Sequence, residues 1–350
     1  MKAQQIIEWG EPLQERESDT PAPTGSEILI RVTSCGVCHS DLHLHEGGFN
    51  MGQGNFARLA DMGVELPMTM GHEIGGVVEA VGPHVEGVEP GKSYVVYPWI
   101  GCGECEHCRT GRDIDCLTTR PLGTRRDGGY ATHVICPDKR YLFDHGNVPV
   151  DLACTYACSG LTAYSALKKH ARLTERDHIV IVGAGGVGLS AVMLAKHVTG
   201  ARIIVADVDP EKRSVARQAG ADETFDNSQP QAAEKLKEML GGGVRGVIDF
   251  VGRPETASFG LDCLAKTGKL VIVGLYGEAL PLALPRMPIF QLTVQGSYVG
   301  DLQDMTELME LVRAGKVPPI PVSTRPLAEA NAALQDLVDG KVSGRQVLKP

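Results

Sequence analysis

The sequence predicts an α/β chain in two parts, a mostly-β segment and a doubly wound parallel sheet. Three observations predict it. The chain has 350 residues, which is long for one hydrophobic core, so two domains are expected. Residues 1–150 carry short apolar runs ("EILIRV", "GGVVEAV", "SYVVYP") between Gly- and Pro-rich turns, the texture of short twisted strands. From about residue 160, "HIVIVGAGGVGLSAVMLAKHVTGARIIVADVD" alternates apolar strands with helix-length segments, the signature of βαβ units and a parallel sheet.

Further buried strands are expected at "GVIDFVG", "GKLVIVGL" and "LTVQGSYVG". The tail, from about residue 301, reads as a helix, the turn "VPPIPV", a second helix and a last strand "GRQVLKP". Whether that strand returns to the first part is open at this level.

Composition excludes several classes. With 43% hydrophobic and 22% charged residues and net charge −9, the chain is ordinary globular protein with an acidic bias. No basic patch suits a nucleic acid. The N-terminus has no apolar core of a signal peptide, and no apolar run approaches the roughly 20 residues of a membrane helix. The expected location is cytoplasmic, where stable disulfides are rare.

Gly183-x-Gly185-Gly186-Val187-Gly188 follows the strand "HIVIV" and opens a helix. The first glycine suits a tight turn, the second a close approach of a pyrophosphate, and the third close packing of helix on strand. The helix N-terminus adds amide donors. Asp207 ends the next strand; its carboxylate suits a ribose diol and repels a 2′-phosphate. NAD is therefore expected over NADP, although the nearby Lys212 and Arg213 leave room for some NADP use.

Two groups of metal-ligand residues stand out. Cys102-x2-Cys105-x2-Cys108-x7-Cys116 packs four thiols into "GCGECEHCRTGRDIDC"; disulfides, a redox site, an iron–sulfur cluster and zinc are the candidates. Cys38 in "CGVCHSDLHLH" and His72 in "TMGHEIGG" are a soft pair suited to zinc, but spacing does not pair them.

Taken together, "GVCHSD", "GHE", "GCGECEHC…C", "CSGLTAY", "VGAGGVGL" and "GSYVG" resemble the zinc-dependent alcohol dehydrogenases of the medium-chain dehydrogenase/reductase superfamily, in the family's order over nearly the whole chain. The resemblance implies a GroES-like catalytic domain, residues 1–159 and 299–350, with a Rossmann NAD-binding domain, 160–298, between its two segments. It implies a catalytic zinc on Cys38, His72 and Cys158, with Cys154 a buried thiol outside the site. It implies a structural zinc on Cys102, Cys105, Cys108 and Cys116. The x7 spacing and the lack of a Cys-Pro step also count against an iron–sulfur cluster.

Further roles follow from the same resemblance. Asp41 is to hold the free nitrogen of His72, and Glu73 can approach the metal. Ser40 and His43 are to form a proton relay. His39, Thr162, Leu275, Val299 and Arg345 are to touch the cofactor, Arg345 at the pyrophosphate. Phe49, Tyr97 and Trp99 are substrate-pocket candidates, while His45 has no role. Zinc would act as a Lewis acid on a small-molecule alcohol, aldehyde or ketone, with NAD taking the hydride.

Polyol and threonine dehydrogenases of the superfamily generally carry Glu at the third ligand position, so Cys158 counts against them. A non-catalytic relative would have lost ligands or relay residues that are present here. A homotetramer is expected, with a homodimer as the alternative. The chain departs from the short form of the family at residues 47–67, where roughly ten residues are added, among them Phe49, Phe56 and Met62. That insert could wall the substrate cleft or form an interface loop.

Overall fold

The computed structural model describes all 350 residues. They divide into two compact units. The first comprises residues 1–48, 58–161 and 300–350, the second 49–57 and 162–299.

The first unit is built on a strand order of Leu142–Phe143, Ser93–Val96, Glu73–Val81, Ile28–Val37, Arg345–Lys349 and Val322–Pro326, with His133–Cys136 also paired to Ile28–Val37. Ile28–Val37 is the central strand. Eight of its ten residues are buried, which is why its sequence runs nearly continuously apolar or small instead of alternating. The C-terminal strand settles what the sequence left open. Arg345–Lys349 pairs antiparallel with Ile28–Val37, Gln346 opposite Val37 and Leu348 opposite Cys35, so the C-terminal strand joins the main sheet of the N-terminal segment. A second sheet joins Gln14–Glu17, Lys2–Ile6 and Met68–Thr69.

The second unit holds a six-stranded sheet in the order Glu223–Phe225, Arg202–Ala206, His178–Val182, Val244–Asp249, Leu264–Ile272, Thr293–Gly296. Every neighbouring pair is parallel. Val180, Val182, Ile204, Val247 and Leu270 form its core. Because both faces are covered, the central strand His178–Val182 and the buried stretches of its neighbours run as β-branched, apolar residues without alternation. The strand order reverses beside His178–Val182, and the crevice at such a switch point is where open α/β sheets bind ligands.

The inserted segment folds as a hairpin, Gly48–Gly52 with Asn55–Arg58. Gln53 and Gly54 turn it with φ of 54° and 77°, the left-handed pair that suits the twist of a two-residue loop. Its tip, 49–57, belongs to the second unit. No helix is long and apolar enough to cross a membrane.

Candidate metal centres and dinucleotide turn

Strand register assembles the first donor set. Gly36 lies opposite Glu73 in the antiparallel pair of Ile28–Val37 with Glu73–Val81. Cys38, just past one strand end, is therefore brought beside His72, just before the other. Cys158 arrives from a third segment, at the end of the 3₁₀ turn Cys154–Ala157. The ligand atoms of Cys38, His72 and Cys158 all lie within 4.8 Å of one another, and all three residues are buried.

The Cys38 and Cys158 sulfurs are 4.0 Å apart. Nε2 of His72 is buried and has no hydrogen-bond partner, a cost that a protein rarely carries unless something else binds there. The thiol of Cys158 and the imidazole of His72 hold the Cys38 pKa well below the usual thiol value, against the effect of burial. Two soft sulfurs and an orphaned imidazole nitrogen fit zinc. Cys154 stands apart, its thiol turned to the carbonyl of Asp151 at 3.4 Å.

A layer of polar groups fixes these donors. Cys38 caps the helix His39–Glu46, and its amide donates to Asp41 Oδ2 at 2.9 Å. Asp41 Oδ1 lies 3.2 Å from Nδ1 of His72, directing Nε2 toward the sulfurs. Tyr130, buried, donates its hydroxyl to the same carboxylate at 2.9 Å.

Glu73 is committed on both oxygens. Oε1 accepts from the Ser159 amide at 3.1 Å, and Oε2 accepts from Arg345 at 2.5 Å. Burial disfavours the Arg345 charge, but the Glu73 carboxylate, with the nearby Cys38 and Cys158 sulfurs, raises its pKa on balance. The family resemblance implies a pyrophosphate contact for Arg345; the structure buries it against Glu73, a partnership across 272 positions that no spacing reveals. Trp99 packs its ring 5.5 Å from that of His72 and donates to Ala157 O at 3.0 Å. Tyr97 is buried, stacked on Tyr141 at 6.1 Å, with its hydroxyl on Gly300 O.

Ser40 Oγ lies 3.7 Å from Cys38 Sγ. His43 is half-buried on the same helix. Burial lowers its pKa below the usual imidazole value, opposed by Glu46 and assisted by His39. His39 is exposed at the first helical position, and His45 meets Glu11 O at 2.7 Å.

The second donor set is local. The sulfurs of Cys102, Cys105, Cys108 and Cys116 lie within 4.8 Å of one another, and all four cysteines are free of disulfides. The amides of Glu104 and Cys105 point at Cys102 Sγ from 3.5 and 3.3 Å and bring that thiol down to about 6. Four converging sulfurs with amide support fit a closed tetrahedral zinc site. Buried Asp113 ties the lobe down, accepting from Arg140 at 2.6 Å and Tyr141 at 2.7 Å.

In the second unit the glycine turn divides its duties. A Cβ at Gly188 would collide with the Gly183 carbonyl, while nothing lies within 4 Å of the corresponding point at Gly185. The open face at Gly185, which caps the helix Gly186–Val198, is where a phosphate can approach; Val187 follows in the first turn. Asp207 accepts from the Ala184 amide at 2.7 Å and the Asp209 amide at 2.9 Å, so the same carboxylate fastens the turn. Lys212 sits in the first turn of Pro210–Gln218. Thr162 and Val299 are buried, while Leu275 is exposed.

Residues 24–145 match the alcohol dehydrogenase GroES-like domain, and residues 186–314 match the zinc-binding dehydrogenase domain. NAD-dependent alcohol dehydrogenases of Sulfurisphaera tokodaii and Saccharolobus solfataricus are each 40% identical to this chain, with 100% of both partners covered. The chain belongs to the zinc-dependent medium-chain alcohol dehydrogenases.

The alcohol dehydrogenase of Aeropyrum pernix superposes with a TM-score of 0.90 at 34% identity, covering 100% of both chains. A cobalt- and zinc-bound alcohol dehydrogenase of Pyrobaculum aerophilum gives 0.85 at 28%, over 100% of this chain and 99% of that one. The fold is thus a GroES-like, mostly-β part with a Rossmann part. Zinc and NAD are the cofactors of this dehydrogenase. Sequence reasoning missed Tyr130 and the Glu73–Arg345 pair. An ion pair and a hydroxyl that act only through other side chains carry no motif.

Proposed function

We infer that this dehydrogenase oxidises a small-molecule alcohol reversibly to an aldehyde or ketone. The observation that carries the reading is the buried Cys38–His72–Cys158 set with its orphaned imidazole nitrogen. Three ligands leave a fourth position for an oxygen ligand, whereas the four-cysteine set leaves none. When bound, zinc supplies a Lewis acid to the alcohol oxygen and NAD accepts the hydride.

The chain's own groups do the rest. Asp41 keeps His72 in the tautomer that presents Nε2. Ser40 takes the alcohol proton, and His43, kept neutral by burial, passes it to solvent. Glu73 and Arg345 hold the Cys158 turn through the Ser159 amide. Trp99, against His72, forms a wall for the substrate, and Tyr97 packs behind it. The first unit is assigned to catalysis and the second to NAD, with Gly183, Gly185, Gly186, Val187, Gly188 and Asp207 at its pyrophosphate and ribose. His39, Thr162, Leu275 and Val299 complete the assigned cofactor contacts.

Two further assignments belong to the same reading. The edge strand Thr293–Gly296 is flanked by exposed Leu284, Ile289, Phe290 and Tyr298, an apolar patch that supports a homo-oligomer, a tetramer or dimer. All ten cysteines are free of disulfides, which suits the reducing cytoplasm. The test combines elemental analysis with NAD reduction over a panel of alcohols. Two zinc ions per chain and turnover are expected; iron with acid-labile sulfide, or zinc without turnover on any alcohol, refutes the reading.

A further inference from the structure

The inserted hairpin does something the family reading does not assign. Its tip interlocks with the loop that follows the strand Leu264–Ile272. A Cβ at Gly52 would lie 2.8 Å from the Glu278 carbonyl carbon, and one at Gly277 would lie 2.8 Å from the Asn50 carbonyl oxygen. Each backbone therefore occupies the space that the other's missing side chain leaves. The Asn50 side chain spans the junction. Its Oδ1 accepts from the Gly52 amide at 2.9 Å, which turns Nδ2 outward to donate to Glu278 Oε1 at 3.2 Å.

The loop so held is not relaxed by itself. Glu278 has φ of 80° beside Gly277 at 100°. A non-glycine residue in that region persists only where its surroundings fix it. On its other side the loop is pinned by Arg253, whose guanidinium lies 3.6 Å over the Tyr276 ring. Hairpin and loop together line a cavity of about 450 Å³, with Phe49, Met51, Arg253, Leu275, Leu280 and Tyr298 in its wall, so their junction shapes the space beside Leu275.

We propose that the hairpin tip 49–57 is a positioning element for the loop Leu275–Glu278, so that the inserted segment sets how tightly the chain holds NAD. The inference rests on the assignment of Leu275 to the cofactor. It identifies Asn50 and Glu278 as positioning residues, neither of which touches a reacting atom.

The test is a charge exchange in the zinc-loaded enzyme. Asn50→Asp sets two carboxylates face to face; adding Glu278→Lys restores an attractive pair. Hydrogen exchange of residues 274–280 and NADH affinity by fluorescence titration are measured for wild type, both single variants and the double variant. Asn50→Asp should speed exchange and raise the NADH Kd about 3- to 10-fold, the scale of one charge-assisted contact at an exposed edge. The double variant should recover both. Unchanged exchange in Asn50→Asp overturns the positioning by the hairpin. Faster exchange with an unchanged Kd overturns the proposal at its other link, the contact of Leu275 with the cofactor. Failure of the double variant to recover also overturns it, because a merely structural lesion would not respond to the sign of the second charge.

Discussion

The two cysteine-bearing sites are opposite solutions to holding one kind of ion. The four-cysteine lobe draws all its ligands from sixteen consecutive positions, 101–116, and keeps Cys102 exposed. Its electrostatic support is local, from amides two and three residues away. The Cys38–His72–Cys158 set spans 120 positions, is wholly buried, and is supported by Asp41 and Glu73, each reaching across to another ligand's segment, and by Tyr130 and Arg345 from distant strands and loops. A closed site needs only its own ligands, because nothing else must enter. An open site must stay shaped with one position unfilled, so its rigidity has to come from the surrounding layer. The metal offsets chain entropy in the lobe, whereas the fold pre-forms the other site.

The comparison is broken most forcefully by removing one ligand from each side. Cys158→Ala should lower alcohol oxidation by at least about 10³-fold, the several kcal/mol that a Lewis acid supplies, with thermal stability nearly kept and one zinc retained per chain. Cys105→Ser should do the reverse, lowering stability and assembly while the remaining folded enzyme stays active. Zinc analysis, thermal unfolding and turnover measured together decide it; equal stability losses in the two variants would erase the distinction.

Next in size is the layer around the open site. Arg345→Met leaves Glu73 buried and unpaired and should cost about 3–5 kcal/mol of stability; adding Glu73→Gln should recover part of that loss in denaturant titrations. Asp41→Asn should weaken zinc binding about 10–100-fold, read by competition with a chelator, and Tyr130→Phe should weaken it less. No change with Asp41→Asn would mean that the surrounding layer does not support the metal.

The proposed relay predicts the smaller, pH-dependent effects. Ser40→Ala should cost about 10²-fold or more, and His43→Gln less, because general acid–base contributions run about 10²–10⁴-fold and water can replace a group near solvent. Burial lowers the His43 pKa, so the imidazole remains a neutral proton acceptor below its usual titration range and becomes cationic only at more acidic pH. The acid limb of wild-type turnover should therefore lie below the ordinary imidazole value. His43→Gln should lose most below neutral pH, where hydroxide cannot substitute, and least in alkali. Parallel profiles for wild type and variant would remove His43 from the route.

What was legible in the sequence had a local cause. The four-cysteine lobe is a spacing, the glycine turn is a spacing behind a strand, and Asp207 ends the next strand because βαβ geometry puts it there. Cys38, His72 and Cys158 were recognisable only as pieces of separate motifs; each alone reads as a buried thiol or a loop histidine. What joins them is the register that sets Gly36 against Glu73, and register depends on pairing between strands far apart in sequence. The same holds for the insert, whose composition was compatible with a cleft wall or an interface. Its packing against Gly277 and Glu278 was decided by two glycines 225 positions apart in sequence.

The sequence by itself determined the fold class, the chemistry available and the four ligands of the cysteine lobe, because periodicity, donor type and spacing are written along the chain; the catalytic set it offered only through a family resemblance. Only the tertiary structure decided what surrounds the catalytic set and the insert: Tyr130 on Asp41, Arg345 on Glu73 and Asn50 on Glu278. Such contacts join residues from different strands and loops, and their strength comes from burial and orientation, neither of which exists before the chain has folded.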